Sequence, residues 1–480
     1  MFKVNKLYSI LLLILLYTTA IHSQEKVVLK KADKLTGKTE NGETIREVTG
    51  NVHFIQGDIN VYCNTAIQYV EANRVELTGN VRIFQDTLSL FTERGVYFGN
   101  EQKAVCNSGI TLKDPNASLR ANKGIYTFAD TKAFFTGNVI IVNPTYRITS
   151  DELTYFRNTE DSYCKGNVTV TTDSMIIKAG VLNYLRRQGI TYAYDNASVI
   201  KDSVFISADT LKDFAFEKKS IATGSVILND LRSKGVVKGD YLENYSAKKY
   251  AIVKGNSQLI KPEENSKDTL FVYSDMLESF REEPEYYIAT DNVSIIKGDF
   301  LSKSGIARYS KGLKDSVDIF ALSKKPVVWQ GNMQLTSDSV YAIIKNDKIQ
   351  TVYAIKIWGL PKSEFSFLIN QSDSTFNNRF DQITGKKISI FFEEGKISLV
   401  KVDSTSSGIY FAYEDKNANG MNIFEGENMV IYFDTAQKVT KVKIEKDPVG
   451  KYVPENLINT VNTTLPGFYI RRDKPFRKIN

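Results

Sequence analysis

Histidine is the scarcest reactive residue in this chain, with two among 480 positions. His22 falls in the N-terminal stretch read below as a leader, which leaves His53 alone. A multi-histidine metal site is thereby excluded, and any Ser-His or Cys-His pair has a single candidate base. His53 stands between Val52 and Phe54 and reads as an outward, solvated strand residue. Cysteine is nearly as rare, with three residues. Cys106 and Cys164 are 58 positions apart, in equivalent places of the repeat described below. Strand spacing then puts them ~10 Å or more from each other, beyond the ~7 Å reach of a disulfide. Cys63 shares its column with Thr92, Ala121, Ser150, Ala179 and Ala208, so all three cysteines read as small buried side chains. Gly-x-Ser-x-Gly, a phosphate-binding Gly-Lys loop and paired Cys-x-x-Cys are all missing. Long apolar runs are missing too, apart from Ile10–Leu16. With Lys3 and Lys6 ahead of it and Ser23 behind, that run reads as an export signal over residues 1–23, and no later stretch approaches the ~20 apolar residues of a membrane helix. The net charge of +7 is a mild bias toward anionic partners, and dispersed basic residues give no support to nucleic-acid binding.

What the chain has in abundance is repetition. Gly-Asn-Val stands at 50–52, 79–81, 137–139 and 166–168, in steps of 29, 58 and 29. Ser108-Gly109, Asp195-Asn196 and Gly224-Ser225 fill the remaining places at the same interval. A fixed period of this length marks a stacked repeat. Beyond Gly224 the interval widens through Gly255, Asp291 and Gly331, with polar loops such as 262–268 and 282–285 accounting for the added length.

Counted from each Gly-Asn anchor, positions two and four are apolar, and so are positions nine and eleven. A spacing of two is strand periodicity with one face inward. Gly57, Asp86, Asp114-Pro115-Asn116 and Asn143-Pro144 punctuate the pairs as turns, and a tyrosine follows near position eighteen at Tyr69, Tyr97, Tyr126, Tyr155 and Tyr184. The unit therefore reads as two or three short strands, with the Gly-Asn anchor suited to a bulge or a strand start because both residues tolerate positive φ. Asp151–Arg157 reads as strand by its place in the repeat.

The expected fold is all-β, an elongated open β-jelly roll or solenoid-like array of ~29-residue repeats. Its expected divisions are a signal at 1–23, an N-terminal segment at 24–45, regular repeats at 46–235, repeats with loop insertions at 236–345, a C-terminal β region at 346–447 and a basic extended tail at 448–480. Asp415-x-Asn417-x-Asn419-Gly420 imitates the start of a calcium loop, but Gly426 stands where a bidentate Glu is required, so the segment reads as an Asn-Gly hairpin.

The unit Val48-Thr49-Gly50-Asn51-Val52, with Gln56-Gly57 at the turn, the pair Ile59/Val61 and a following small-Asp-x-Leu-x-Tyr segment, resembles the LptA/OstA family of periplasmic lipopolysaccharide-transport proteins. Ser150-Asp151-Glu152-Leu153-Thr154-Tyr155 supplies that last piece, and Ser274–Leu277 and Ser337–Tyr341 echo it. The resemblance runs over about residues 46–345, and the length is similar to long OstA-like chains of Bacteroidetes-type bacteria. It implies an open jelly roll whose apolar groove shelters the acyl chains of lipopolysaccharide or lipid A in the periplasm, between the inner and outer membranes. It also implies partners of similar fold, an inner-membrane transporter component and an outer-membrane LptD-like protein, and head-to-tail self-association. No cofactor, metal or catalytic residue is expected.

The columns expected to line the groove are Val52/Phe54, Ile59/Val61, Val81/Ile83, Leu88/Leu90, Val139/Ile141 and Val168/Val170. If the groove is open, aspartate at Ile83 and Ile141 should weaken lipid binding more than folding. The same columns would equally serve the closed core of a structural or adhesive solenoid, and a polysaccharide-acting β-helix enzyme would need converging carboxylates that sequence does not reveal.

Overall fold

Each regular repeat folds as one antiparallel hairpin of two long strands. The computed structural model describes residues 25–262, 268–313, 317–346, 348–356, 364–371, 376, 378–414 and 417–477; the leader read at 1–23 lies outside them. Two compact units are present, one comprising Met1–Asp173 with Gly180–Arg187, the other Ser174–Ala179 with Gln188–Asn480. Helical structure among the described residues is confined to short 3-10 turns such as Gly99–Glu101 and Glu455–Thr460, and no helix is long and apolar enough to cross a membrane.

In the first unit the opening strands are Glu43–Gln56, Ile59–Tyr69, Arg74–Gln85 and Leu88–Phe98. They are longer and fewer than the two or three short pieces expected per repeat, because the Gly-Asn anchor bulges a strand without ending it. Thr49 pairs with Thr65 and Val52 with Cys63, so Gly50 and Asn51 occupy one extra place. Both have positive φ, 81° and 44°, and the same pair of values recurs at Gly79-Asn80, Gly137-Asn138 and Gly166-Asn167. Where Ser108-Gly109 replaces Gly-Asn, the strands do break, into Lys103–Cys106, Ile110–Lys113, Ser118–Ala121 and Lys123–Thr127. Asp151 lies in the strand Tyr146–Phe156, as the repeat predicts.

The bulge also explains the Ser-Asp portion of the motif. The Asn167 amide donates to Asp151 at 2.9 Å, and Asn51 to Asp33, Asn256 to Asp240 and Asn292 to Asp275 at 2.9, 3.1 and 2.7 Å. The preceding hydroxyl donates two residues ahead, Ser150 Oγ to the Glu152 carbonyl and Ser274 Oγ to that of Met276, satisfying a carbonyl that the bulge leaves out of the ladder. A Cβ on Gly166 would run into the Asp151 carboxylate and meet its Cβ at 2.8 Å, whereas one on Gly109 would meet nothing within 4 Å. Both glycines have φ near +80°. Gly109→Ala should therefore cost only backbone strain, about 1–2 kcal/mol. Gly166→Ala adds the collision and should lose at least ~1 kcal/mol more in urea unfolding.

Successive bulges fold the sheet over on itself. Gln56 sits at the turn beside Ile59, near the Leu88 end of its neighbours, while Tyr97 is nine residues further along the strand Leu88–Phe98. A flat strand would carry Tyr97 ~30 Å away. Yet the Tyr97 hydroxyl donates to Gln56 Oε1 at 2.6 Å, and Gln56 Nε2 donates to the Gly99 carbonyl at 2.8 Å. The two halves of each hairpin therefore face each other, with the apolar columns between them.

The second unit is built in the same way from Ile190–Lys201 through Phe300–Ser310, and then from short strands together with two long ones, Lys396–Glu414 and Asn417–Phe433. A first core there includes Val293, Leu335, Ile388, Val402 and Met429. A second, on the opposite face of its strands, gathers Phe367, Ile369, Ile409, Phe411 and Met421 against Ile458 and Leu465. The expected basic tail is shorter than 448–480: Val449–Pro454 is a strand paired with Gly420–Glu425, and Glu455–Thr460 a 3-10 turn. The expected Asn-Gly hairpin is also displaced. Glu414 pairs with Asn417, so the hairpin closes ahead of Asn419-Gly420, which lies inside the strand Asn417–Phe433; Asp415 is outside the described residues.

Candidate functional site

Eleven of the twelve groove residues expected from the sequence are buried, none more than 4 % exposed, and Val170 is half-buried. The strand register joins many of them into one cross-strand row on the inner face of the first unit: Phe54, Val61, Ile83, Leu90, Leu112, Leu119, Ile141, Ile148 and Val170. Val52, Val81, Val139 and Val168 flank this row nearer the bulge, and Ile59 and Leu88 flank it at the turns. His53 faces the other way, stacked on Tyr62 with ring centroids 4.3 Å apart and Nε2 3.1 Å from Asn60 Oδ1.

The equivalent row in the second unit is Val199, Ile206, Leu228, Val237 and Leu259. These five are half-buried, although Ile206, Leu228 and Val237 pack on a core of Ala208, Ala222, Val226, Leu242 and Val253. The difference lies at the lip of the interior. In the first unit the lip is a row of Gln68, Val75, Tyr97, Ala104, Tyr126, Ala133, Tyr155 and Ser162, all buried. Its rings span the gap: Tyr97 reaches Gln56, and Tyr97, Tyr126 and Phe128 pack edge to face at 4.8–6.1 Å. Arg157 donates across to Thr87 Oγ1 at 2.9 Å. In the second unit the lip row reads Thr191, Asp213, Ser220, Asn244, Ala251 and Ser279. Small polar side chains replace the tyrosines in that row.

The tyrosine column holds one exception at its start. Tyr69 faces outward with the Arg74 guanidinium 4.0 Å over its ring, and the inward place belongs to Gln68. Gln68 donates to the Val27 carbonyl, while the Val27 amide donates to Asn73 Oδ1, both at 2.8 Å. That buried polar set fastens the segment Glu25–Val27 across the first hairpins.

Around the open stretch, the turns and their flanks carry exposed Lys201, Lys218, Arg232, Lys234, Lys248 and Lys249 against Asp202, Glu217 and Asp230. The Asp230 carboxylate is held below its ordinary range by the Arg232 amide and Ser233 hydroxyl of its own turn. The stretch therefore has an apolar floor, a small polar lip and a basic rim. It can shelter hydrocarbon while holding an anionic group at its edge.

Burial pushes the Cys63, Cys106 and Cys164 thiols up to about 12, and all three are free. A thiol so protonated is a poor nucleophile and a poor metal ligand. Burial likewise raises the Tyr126 phenol to about 12. No group of three His, Cys, Asp or Glu side chains placed to hold a metal occurs among the described residues.

Six of the twelve expected residues, Phe54, Val61, Ile83, Leu90, Ile141 and Val170, thus belong to the row equivalent to that of the five half-buried ones. Val199 and Ile206 fell in the apolar columns without being singled out. The signal that would have found them is the loss of the tyrosine column after Tyr184, at Asp213.

No curated protein matches the chain. Among solved structures, it is similar to LptH, described as the LptA homologous periplasmic component of the conserved lipopolysaccharide transport device from Pseudomonas aeruginosa. That match has 16% identity and covers 37% of this chain and 95% of the other, with a TM-score of 0.21, a likeness that by itself assigns neither fold nor function. The OstA-like protein family model matches residues 24–180, which contain the bulged hairpins, the tyrosine lip and the buried row. Over residues 24–180, about a third of its length, this chain is thus similar to the OstA-like protein family.

Proposed function

We propose that the chain binds lipopolysaccharide, or its lipid A portion, between its facing half-sheets in the periplasm and passes it on without catalysis. In this reading it serves transport between the inner and outer membranes, with an inner-membrane transporter component and an outer-membrane LptD-like protein as partners. The observation that carries the reading is the half-buried row Val199, Ile206, Leu228, Val237 and Leu259 beneath a polar lip and beside a basic rim. The OstA-like segment supports it. Each methylene withdrawn from water is worth ~0.8 kcal/mol, so an acyl chain gains several kcal/mol on such a floor while its phosphates stay wet at the rim. The residues Val52 to Val168 form a dry interior of the same design, which an acyl chain enters only if the Tyr97–Gln56 and Arg157–Thr87 contacts part.

A photoreactive amino acid at Leu228, with one at the adjacent outward Ile227 as control, tests this directly. Lipopolysaccharide should crosslink at Leu228 and not at Ile227. Ile206→Asp should reduce that crosslink at least 10-fold and cost clearly less stability than aspartate at the fully buried Ile83, because Ile206 is already partly in water. Equal labelling at both sites, or none in a folded protein, would remove the groove from the account.

A further inference from the structure

The C-terminal segment crosses the second unit as a pinned strap. Gln382 donates to the Thr463 carbonyl and accepts from the Leu465 amide, both at 2.9 Å. Gln334 does the same to Tyr469 and Arg471, both at 2.8 Å. Each glutamine amide thus holds the strap backbone by a donor and an acceptor together, as a neighbouring strand would. Further along, Asp473 takes Arg471 at 2.7 Å and Lys303 at 3.1 Å, and Arg477 lies 5.1 Å over the Phe271 ring. Arg471 foremost, then Lys303, holds the Asp473 carboxyl well below its usual range, so the anchor is charged at neutral pH.

Pinning the backbone fixes which side chains look out. Phe468 and Ile470 pack inward on the second core, whereas Tyr469 is 68% exposed. Phe476 is 78% exposed, the highest value among the large apolar side chains described. Arg472, Lys474 and Arg477 are exposed beside these rings. Two rings offered to water cost free energy, and the fold has already immobilised them, so a partner would meet them without an ordering penalty. Aromatic rings alternating with basic groups match the interface of an anionic bilayer, where rings settle at headgroup depth and cations near lipid phosphates.

We propose that the strap 469–477 docks this protein on an anionic lipid bilayer, through Tyr469 and Phe476 with Arg472, Lys474 and Arg477. This surface is separate from the apolar floor and does not rest on it. The full chain without residues 1–23 should co-sediment with phosphatidylglycerol-containing vesicles, more weakly as salt is raised, and not with phosphatidylcholine vesicles. Replacing Arg472, Lys474 and Arg477 together by Gln should cost roughly 100-fold in vesicle affinity, in keeping with three cations near a charged surface. Tyr469→Ser with Phe476→Ser should cost roughly 10-fold or more. None of these five side chains belongs to the two glutamine clamps, and near-unchanged thermal unfolding would verify that the strap is still seated. Ile206→Asp separates the two proposals, since it should weaken lipid crosslinking at Leu228 and leave vesicle binding intact. Equal binding to neutral vesicles, no binding to anionic ones, or a triple variant that binds like the parent would overturn the docking surface.

Discussion

Ile83→Asp should unfold the first unit under conditions where the parent is stable, with a loss of at least ~4 kcal/mol. Ile83 is 1% exposed in the middle of the buried row and pairs with Val61 on one side and Leu90 on the other. Truncating a buried isoleucine alone costs ~2–5 kcal/mol, and an unpartnered carboxyl adds its desolvation. Such a carboxyl is pushed above its ordinary pKa and is neutral near pH 4. The damage should therefore be smaller at pH 4 than at pH 7, since stability is lost as pH rises through a raised folded-state value. Arg82→Asp, one residue away but facing water, should cost about 1 kcal/mol or less. Chemical denaturation of the two variants at both pH values checks the prediction; comparable losses at the two positions would show that Ile83 is not in a closed interior. The sequence leads one to expect aspartate here to weaken lipid binding more than folding if the groove is open. The burial makes position 83 a test of folding, and the equivalent test of binding belongs at Ile206.

Ending the chain after Pro454 should destabilise the C-terminal part of the second unit by ~3–6 kcal/mol. The deleted segment contributes Ile458 and Leu465, at 5% and 7% exposure, and each buried aliphatic side chain is worth ~1.5–3 kcal/mol. It also leaves Phe367, Ile369, Phe411 and Met421 uncovered, takes the Thr463 and Leu465 partners from the buried amide of Gln382 and removes the Glu455 partner of Arg379. Amide exchange in the strands Ser366–Asn370 and Asp381–Gly385 should accelerate by two orders of magnitude or more. Unchanged protection there would mean that the strap lies on this face without stabilising it.

Much of the architecture was legible because a repeat writes the same physics many times over. Two-residue spacing in four apolar columns identified strands, and Gly-Asn identified the places where backbone must take positive φ. Individual residues were less informative. Asp151 and Asp275 looked like part of a motif, and only the bulge geometry shows each carboxylate receiving an amide from the asparagine of the next anchor, Asn167 or Asn292. Asn419-Gly420 had the composition of a hairpin turn, but pairing along the strands Lys396–Glu414 and Asn417–Phe433 moved the turn ahead of it. The glutamines that clamp the strap carry no sequence signal, since their partners are backbone groups 81 to 137 residues away.

The sequence by itself determined the strand periodicity, the bulge positions and the inward columns, because each depends on a residue's own conformational preference or on neighbours two positions apart. Only the tertiary structure decided where the interior is covered. Coverage depends on whether side chains from opposite ends of different hairpins can touch, and that follows from the fold-over at the bulges. Tyr97 spans that gap to Gln56 in the first unit, with Tyr126 and Tyr155 buried in the same row, and the shorter Asp213, Asn244 and Ser279 hold the equivalent places in the second.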